Sequence, residues 1–323
     1  LEIIKTLYSF ENSLFFKPLL GGVANAPMFV YAEKNGIKIP LGVFKEEKFD
    51  EKFTINRLIL LEEMKHDYFP FLPKVIKNIN GEYLTNIGGI NYSCFEYLSP
   101  DIRSEENDIS FSQMLELIAK FHLASKKLVN GESIYSNRID SYSKREHLFS
   151  TKVLEEIDSG FFDAPIWKKI IRLSKFYTTS QFKEIYEDLP LQIIHGDAHP
   201  GNIVISNKIS YFVDFDQVHF GPKLWDITCC ILNNFFDEFL EKVNSGTFFS
   251  FLESYYEENG IKLENREVEY FFEILRFRQM EPLAWALEKI QSAKIHQKKD
   301  QIDKYKKIIT EMVNRMEKLL ELP

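Results

Sequence analysis

The sequence predicts an α+β protein with two lobes, a strand-rich N-terminal lobe over residues 1–98 and a mainly helical C-terminal lobe over residues 99–323. The first hundred residues contain short apolar runs separated by glycine turns, which indicate strands. After Ser99-Pro100 the pattern changes, and long segments with apolar residues at helical spacing dominate. A chain of 323 residues is also too long for one simple core. We therefore expect a ligand cleft at the seam between the lobes.

The N-terminal lobe begins with three predicted strands, which cover Leu14–Leu20, Met28–Ala32 and Ile39–Phe44. Gly21-Gly22 separates the first two strands, and Asn35-Gly36 is a strong signal for a hairpin turn between the second and third. The segment FTINRLILLEEMKHDYF has apolar residues at helical spacing and predicts one helix, which Pro70 and Pro73 end. The segments PKVIKNINGEYLTNI and INYSCFEYL are predicted as further strands, with a turn at Asn80-Gly81.

The C-terminal lobe is predicted to be helical except for one stretch, IIHGDAHPGNIVISNKISYFVDFD. FSQMLELIAKFHLASKKL opens the lobe as an amphipathic helix, and the Lys- and Glu-rich C-terminal tail is predicted as a solvated helix packed on the lobe. Within the exceptional stretch, Ile203–Ile205 and Ile209–Val213 are predicted strands that turn at Asn207-Lys208. This hairpin brings Asn202 and Asp214 to the same end.

Composition limits the class of protein. A hydrophobic content of 45% with 27% charged residues is typical of a soluble globular protein, and 29 Phe and 15 Tyr allow a large core without disulfides. Three cysteines, two of them adjacent, predict reduced thiols and a cytoplasmic location. The net charge of −8 disfavours a nucleic-acid partner, and no apolar run is long enough to span a membrane. The oligomeric state stays open.

The candidate chemistry lies in Asp197, Asn202 and Asp214. Mg²⁺ prefers hard oxygen ligands and usually takes one or two carboxylates together with substrate phosphates. Asn202 and Asp214 supply such oxygens at one end of the predicted hairpin. Asp197, five residues before Asn202, faces the same centre and is placed to accept a proton from an attacking hydroxyl. The three residues therefore predict a metal–phosphate centre.

These residues belong to a pattern of His195-Gly196-Asp197, His199, Asn202 and Asp214-Phe215-Asp216. The pattern resembles the aminoglycoside phosphotransferase and choline kinase superfamily, whose members are small-molecule kinases with a protein-kinase-like fold. The resemblance implies transfer of the γ-phosphoryl group of ATP, or of GTP, to a hydroxyl group. The acceptor it implies is a small molecule such as an aminoglycoside, an amino sugar, an amino alcohol or a hydroxy amino acid.

The same resemblance assigns roles to the residues of the pattern. Asp197 is expected to deprotonate the acceptor, and Asn202 and Asp214 are expected to hold Mg²⁺. Asp216 is either a second metal ligand or a charged turn residue. The residues expected to support the loop without contacting substrate are His195, His199 and, in the segment GPKLWDI, Asp226.

The resemblance also assigns nucleotide-binding positions. They are Gly21, Gly22 and Asn25 in a loop over the phosphates, Lys45 on the α- and β-phosphates, and Glu96 and Leu98 in the lobe connection beside the adenine. Glycine in such a loop lets backbone N–H groups approach phosphate oxygens closely.

One feature departs from the family pattern. The family pairs the lysine at the Lys45 position with a Glu early in the following helix. This chain has Arg57 or Leu58 there, and Glu62-Glu63 comes about one turn later. Either the helix register is shifted, or Lys45 has a different partner such as Glu51.

The acceptor pocket is expected on the C-terminal helices. Its candidate residues are Asp237, Glu238, Arg276, Arg278, Glu281 and Trp285. Acidic residues near a cleft suit a cationic acceptor such as an amino sugar or an amino alcohol. Arg276 and Arg278 instead suit an acceptor carboxylate or phosphate. A solvated helix face explains any single one of these residues equally well.

Two other functions stay open. The first is a non-catalytic structural member of the fold, similar to spore-coat proteins; the missing helix Glu favours it, and the intact set of Asp197, Asn202 and Asp214 disfavours it. The second is an atypical bacterial Ser/Thr protein kinase. It is disfavoured because GPKLWDI follows Asp216 almost at once, which leaves little surface for docking a peptide.

Overall fold

The computed structural model describes residues 14–19, 27–34, 37–101, 109–128, 162–174, 179–296 and 298–322. The chain forms two compact units, one of Leu1–Tyr135 with Asp197–His219 and one of Ser136–Gly196 with Phe220–Pro323. The predicted α+β class is confirmed, since the N-terminal part is rich in strands and the C-terminal part is helical. The lobe boundary at residue 98 stays a prediction. The predicted turns at Gly21-Gly22 and Asn35-Gly36 lie outside the described residues.

The first unit contains one antiparallel sheet of five strands. They are β1 (Leu14–Pro18), β2 (Met28–Lys34), β3 (Ile37–Glu46), β4 (Thr85–Ile87) and β5 (Ile90–Phe95). Their order in the sheet is β1-β2-β3-β5-β4, which confirms the three strands predicted at the start of the lobe. Leu14, Val30, Phe44 and Cys94 form a buried core on one face. Because successive strand residues point to opposite faces, buried Phe44 turns Lys45 to the other face of the sheet.

Helix α1 (Glu51–Asp67) follows β3 and confirms the predicted helix. Asp50 caps its N-terminus, because the Asp50 carboxylate accepts the N–H of Phe53 at 3.1 Å. The apolar residues at helical spacing, among them Leu58, Leu61 and Met64, are buried. The apolar stripe that predicted the helix is therefore its buried face.

The turn predicted at Asn80-Gly81 is confirmed, since Gly81 has a φ of 79°, but the strands predicted on either side of it in PKVIKNINGEYLTNI are wrong for most of their length. Val75 makes an isolated bridge with Phe95, and pairing resumes only at β4. Between them the Asn78 side chain accepts the N–H groups of Asn80 and Glu82, at 3.0 and 3.1 Å. An Asn side chain that bonds to the backbone just ahead of it stabilises a turn, which competes with extended pairing.

Strand β6 (Leu191–Ile194) precedes the catalytic stretch, and β7 (Ile203–Ser206) pairs with β8 (Ile209–Phe212) as the predicted hairpin. Asn207 and Lys208 at its turn both have left-handed backbones, with φ of 52° and 62°. Two-residue hairpin turns need this conformation, and Asn adopts it readily. The Asp101 carboxylate accepts both N–H groups, at 2.9 and 2.8 Å. The hairpin that carries Asn202 and Asp214 is therefore fixed at its far end too.

Helix α2 (Phe111–Ser125) confirms the predicted amphipathic helix, and it lies in the first unit, whereas the sequence predicted it as part of the C-terminal lobe. A reciprocal capping box of Ser110 and Gln113 begins it. Phe121 on its buried face lies 5.8 Å from Phe212 and 6.2 Å from Phe215, measured between ring centroids. This aromatic contact packs the hairpin onto the helix.

The second unit is mainly helical. Its helices are α3 (Ala164–Ser174), α4 (Thr179–Asp188), α5 (Leu224–Cys230), α6 (Phe236–Asn244), α7 (Phe248–Glu258), α8 (Asn265–Glu269), α9 (Phe271–Ile295) and α10 (Lys299–Leu320). Strand β9 (His219–Pro222) pairs with β6. Helix α10 packs on α9 and α3, which confirms that the C-terminal tail is a helix packed on its own unit. Among the described residues, no helix combines the length and the apolar character needed to cross a bilayer.

Candidate active site

The loop before Asp197 is shaped by a glycine and a buried carboxylate. Gly196 has a φ of 80°, a conformation that disfavours residues with a side chain. Asp226, which is fully buried on α5, accepts the N–H of His195 at 2.9 Å and that of Gly196 at 2.7 Å. Both backbone groups thereby obtain a charged acceptor away from water. Asp226 thus contacts the backbone immediately before Asp197.

The Asp197 side chain lies beside Asn202 and His199. The amide nitrogen of Asn202 donates to the Asp197 carbonyl at 2.9 Å and to the Asp197 carboxylate at 3.2 Å. His199 Nδ1 accepts the N–H of Gly201 at 3.0 Å, so the proton of a neutral imidazole is on Nε2. That Nε2 lies 3.6 Å from the Asp197 carboxylate, which is about one third exposed. Asp197 is therefore oriented from two sides and still open to solvent.

Asn202 and Asp214 meet at one end of the hairpin. The carbonyl of Asn202 accepts the N–H of Val213 at 2.9 Å, and Asp214 follows with a left-handed φ of 61°. Asp tolerates this conformation better than most residues. The next residue, Phe215, is buried and packs against α2. The acidic residues on either side of Phe215 are therefore held in place.

The chemistry of these side chains fits a divalent cation. Because the Asn202 amide nitrogen is used by Asp197, the Asn202 amide oxygen is the atom left to face an ion. Asp214 adds a carboxylate whose side chain is 46% exposed. Hard oxygen donors of this kind suit Mg²⁺, which keeps several waters and substrate oxygens as its other ligands. The described residues contain no cluster of three or more His, Cys, Asp or Glu at metal-binding distance, so this protein-derived ligand set is small.

Lys45 finds its partners in the Asp-Phe-Asp segment and not on helix α1. Its ammonium nitrogen lies 2.7 Å from Asp214 Oδ1 and 2.6 Å from Asp216 Oδ1. The alternative partner Glu51 instead accepts a bond from Asn91 at 3.4 Å. Glu62 is also engaged elsewhere, since it pairs with Lys77 at 2.8 Å. Lys45 is therefore paired with two loop carboxylates and not with Glu51, the alternative partner suggested by the sequence.

Arg57 is, with Leu58, one of the two residues near the helix position where the family pattern has Glu. The guanidinium donates to Asp216 Oδ1 at 2.7 Å through Nη1 and to Glu47 Oε2 at 2.5 Å through Nη2. Glu47 in turn accepts a bond from the Ser93 hydroxyl. Sequence reasoning missed Glu47 and its pairing with Arg57. The sequence did contain a signal, because the basic residue Arg57 in the helix is accompanied by the acidic residue Glu47, two places after Lys45.

The predicted lobe connection is only partly available to a nucleobase. The N–H of Glu96 already donates to the Lys74 carbonyl at 2.8 Å, and the Glu96 carboxylate binds Lys65 and the Lys74 N–H. Leu98, the other predicted position in this connection, is half-buried. Beside it Tyr97 stacks on Phe29, with ring centroids 4.1 Å apart. This aromatic pair was not predicted. The predicted positions Gly21, Gly22 and Asn25 lie outside the described residues.

The predicted acceptor residues lie on two helices of the second unit, α6 and α9. Asp237 and Glu238 begin α6, where Asp237 is exposed. Trp285 of α9 packs edge-on against Tyr305 of α10, with ring centroids 5.6 Å apart. Arg276 of α9 donates to the Leu319 carbonyl at 3.2 Å and to the Leu322 carbonyl at 2.7 Å. These two bonds hold Arg276 on the C-terminal end of α10.

Arg278 makes a different set of contacts. It donates to Glu281 Oε2 at 2.5 Å and to Cys229 Sγ at 3.2 Å, and its guanidinium carbon lies 5.2 Å from the Trp225 ring centroid. Arg278 and Glu281 are both largely buried, at 12% and 11% side-chain exposure. The two charges are thus paired with each other within the helical unit.

The chain is similar to one protein family and to several solved structures. The model of the phosphotransferase enzyme family matches residues 69–258, which is more than half of the chain. No curated protein sequence matches this chain. The microcompartment-associated aminopropanol kinase shares 13% identity with a TM-score of 0.69, over 99% of this chain and 96% of that one.

Two further structures are similar over nearly their whole length. Amicoumacin kinase hAmiN, in complex with AMP-PNP, Ca²⁺ and Ami, shares 14% identity with a TM-score of 0.62, over 96% of this chain and 92% of that one. The GDP and kanamycin complex of APH(2")-IIia shares 13% identity with a TM-score of 0.59, over 96% and 97%. At identities this low, the structural similarity establishes the fold alone. The kinase-like fold class predicted from the sequence is confirmed.

Proposed function

This chain belongs to the phosphotransferase enzyme family, and we propose that it transfers the γ-phosphoryl group of ATP or GTP to a hydroxyl of a small amine-bearing molecule. The observation that carries the proposal is the arrangement of Lys45, Asp197, Asn202 and Asp214 around one end of the β7–β8 hairpin. Phosphoryl transfer depends on positioning and on charge neutralisation more than on covalent chemistry. An acidic, oxygen-rich site with one lysine suits both requirements.

Lys45, Asn202 and Asp214 are assigned to the nucleotide. The Lys45 ammonium would contact the α- and β-phosphates, since its strand holds it on the sheet face opposite the Phe44 core. Asn202 and Asp214 would hold a divalent cation, which supplies charge neutralisation for the phosphate oxygens when bound. The similar structures with AMP-PNP, GDP and Ca²⁺ support a nucleotide and a divalent ion, and Mg²⁺ is the ion we propose.

Asp197 is assigned to the acceptor. As the acceptor oxygen forms its bond to the γ-phosphorus, the bond to the bridging oxygen of the nucleoside diphosphate breaks, and Asp197 takes the hydroxyl proton. Asn202 and the Nε2–H of His199 would hold the Asp197 carboxylate in position for this transfer. His195 and Asp226 would shape the loop from behind without contacting substrate.

The acceptor class is proposed from the similar structures and from charge. Aminopropanol and kanamycin, which are named with two of those structures, carry both amines and hydroxyls. This chain has a net charge of −8, and Asp237 and Glu238 begin one of the helices proposed to line the pocket. A cationic acceptor gains from such a field. Amino alcohols, amino sugars and aminoglycosides are therefore the first acceptors to test.

The experiment measures transfer from radiolabelled ATP and GTP to a panel of amino alcohols and aminoglycosides, with Mg²⁺ and with EDTA. Asp197→Ala is expected to lower kcat by about 10²–10⁴-fold, the usual contribution of a general base, while the nucleotide KM changes little. Asp67→Ala is the matched control, because Asp67 is an exposed residue at the end of α1. Unchanged turnover in the Asp197 variant would refute its assignment. No binding of either nucleotide by the wild-type protein would refute the proposed function itself.

A further inference from the structure

Five charged side chains form a continuous chain of ion pairs from the interior of the first unit to its surface. In order from inside to outside they are Glu47, Arg57, Asp216, Lys45 and Asp214. Their side-chain exposures rise along this path, from 1% and 2% for Glu47 and Arg57, through 12% and 11% for Asp216 and Lys45, to 46% for Asp214. The inner members are therefore fixed, and the outermost carboxylate is accessible.

Asp216 is the central member of this chain. Its Oδ1 atom accepts from Arg57 Nη1 at 2.7 Å and lies 2.6 Å from Lys45 Nζ. A divalent cation at this carboxylate would stand close to two positive groups, and repulsion between like charges is strong where water is scarce. Asp214 pairs with Lys45 and is far more exposed than Asp216. The two acidic residues of the Asp-Phe-Asp segment are therefore not equivalent.

Arg57 cannot easily release Asp216. Arg57 is 1% exposed, and a buried charge is tolerated only when it is paired. Its guanidinium is planar and always charged, so the two bonds to Glu47 and Asp216 fix its orientation. Glu47 is held in turn by the Ser93 hydroxyl on strand β5. The position of the Asp216 carboxylate is thus set by helix α1 and the sheet together.

We infer that Asp216 is the positioning residue that seats Lys45 for the nucleotide phosphates, that Arg57 holds Asp216 in place, and that Asp216 does not bind the metal. The inference rests on the proposed function. Asp214 is the outer partner of Lys45, and we expect the nucleotide phosphates to approach the lysine from that exposed side. Asp216 stays as the inner partner throughout. In this arrangement the loop carboxylate of Asp216 holds Lys45, and the helix guanidinium of Arg57 holds Asp216.

The test is the affinity for a fluorescent ATP analogue, titrated with Mg²⁺ and with EDTA. The variants are Asp216→Asn, Asp214→Asn and Lys45→Met. Glu62→Gln is the control, because Glu62 lies on helix α1 like Arg57 and forms an ion pair with Lys77 that is separate from the five-residue chain of ion pairs. Asp216→Asn keeps an oxygen acceptor for Arg57. We expect it to weaken binding by about tenfold in both conditions, the typical worth of a bond to a charged group. Asp214→Asn is expected to weaken binding only when Mg²⁺ is present.

A double-mutant cycle separates positioning from other roles. In the Lys45→Met background, Asp216→Asn is expected to cause no further loss of affinity. A second route is the pair Arg57→Met with Glu47→Gln, which removes both inner charges and so avoids leaving one buried alone. This double variant should weaken binding with Mg²⁺ and with EDTA alike, and it serves if Asp216→Asn does not fold.

The outcomes are distinguishable. A loss confined to the Mg²⁺ titration of Asp216→Asn would make Asp216 a metal ligand and overturn the inference. Unchanged affinity, or a loss that adds fully to that of Lys45→Met, would also overturn it. If the wild-type protein binds no nucleotide in either condition, the proposed function fails and the inference fails with it. Equal losses in both conditions that vanish without Lys45 support it.

Discussion

Replacing Asp226 by Asn tests whether the catalytic loop is held by a buried charge. The Asp226 carboxylate is fully buried and accepts two consecutive backbone N–H groups, from His195 at 2.9 Å and from Gly196 at 2.7 Å. Burial raises the pKa of nearby Tyr256 well above its ordinary value, and the charge of Asp226 adds to that effect. Asp226 therefore lies in a dry environment, where hydrogen bonds to a charged group are strong.

The magnitude follows from the two bonds. A hydrogen bond to a charged group contributes about 1.5–3 kcal/mol to stability, and a neutral one about 1 kcal/mol. Asn at this position offers one neutral oxygen to one N–H and presents an NH₂ group to the other. One charge-assisted bond is lost, the second weakens, and relief of the buried charge offsets part of both. We expect the free energy of unfolding to fall by about 2–3 kcal/mol.

Urea unfolding followed by far-UV circular dichroism measures this change, and basal ATP hydrolysis measures its effect on the loop. Because Asp226 contacts the backbone just before Asp197, kcat should fall by about ten- to a hundredfold, as small displacements of a catalytic group do. The nucleotide KM should change little. Asp303→Asn, at an exposed position on α10, is the control and should alter neither quantity. An Asp226→Asn protein with wild-type stability and wild-type kcat would refute the reasoning.

Two further predictions use contacts at the same site and in the core of the sheet. A Cβ at Gly201 would stand 2.5 Å from His199 Cε1 and 2.9 Å from His199 Nδ1, so Gly201→Ala should displace the imidazole. Gly201→Ala should therefore lower kcat as His199→Ala does, and steady-state kinetics of both variants would contradict this if Gly201→Ala kept the wild-type kcat. Burial raises the pKa of Cys94 to about 12, so its thiol stays protonated in the folded protein while the unfolded thiol ionises near pH 9. Stability should therefore fall above about pH 9 by up to about 1.4 kcal/mol per pH unit, and urea unfolding of Cys94→Ala should show a shallower decline.

The hairpin could be predicted because it is local. Asn207-Lys208 as a turn, the strands on both sides of it, and Asp197, Asn202 and Asp214 at fixed separations are all contained within one short stretch. Local propensity and spacing specify such a unit without knowledge of the rest of the chain. Helix α1 was predictable for the same reason, since its buried stripe repeats at helical spacing. The strand predicted near Asn78 failed because a single side chain bonds to the backbone ahead of it and stabilises a turn.

The partners of Lys45 could not be predicted because they depend on distant segments. Lys45 and Asp214 are 169 residues apart, and Arg57 and Asp216 are 159 apart. Spacing rules have no access to contacts of this kind. An expected Glu that is missing signals a change of partner but does not identify the new one. The acceptor residues pose the same problem, because Arg276 and Arg278 have the same residue type and yet bind a helix terminus and a buried carboxylate.

The indirect link between helix α1 and Lys45 has a consequence for how the lysine is held. A helix carboxylate would contact Lys45 directly, so any movement of the helix would act on the lysine at once. Here α1 reaches Lys45 only through Asp216, which lies two residues from Asp214 in the same short turn. Asp216, which anchors Lys45, and Asp214 therefore move together with Phe215, which is packed on α2. It follows that a substitution that shortens Arg57 acts first on Asp216, and on Lys45 through Asp216.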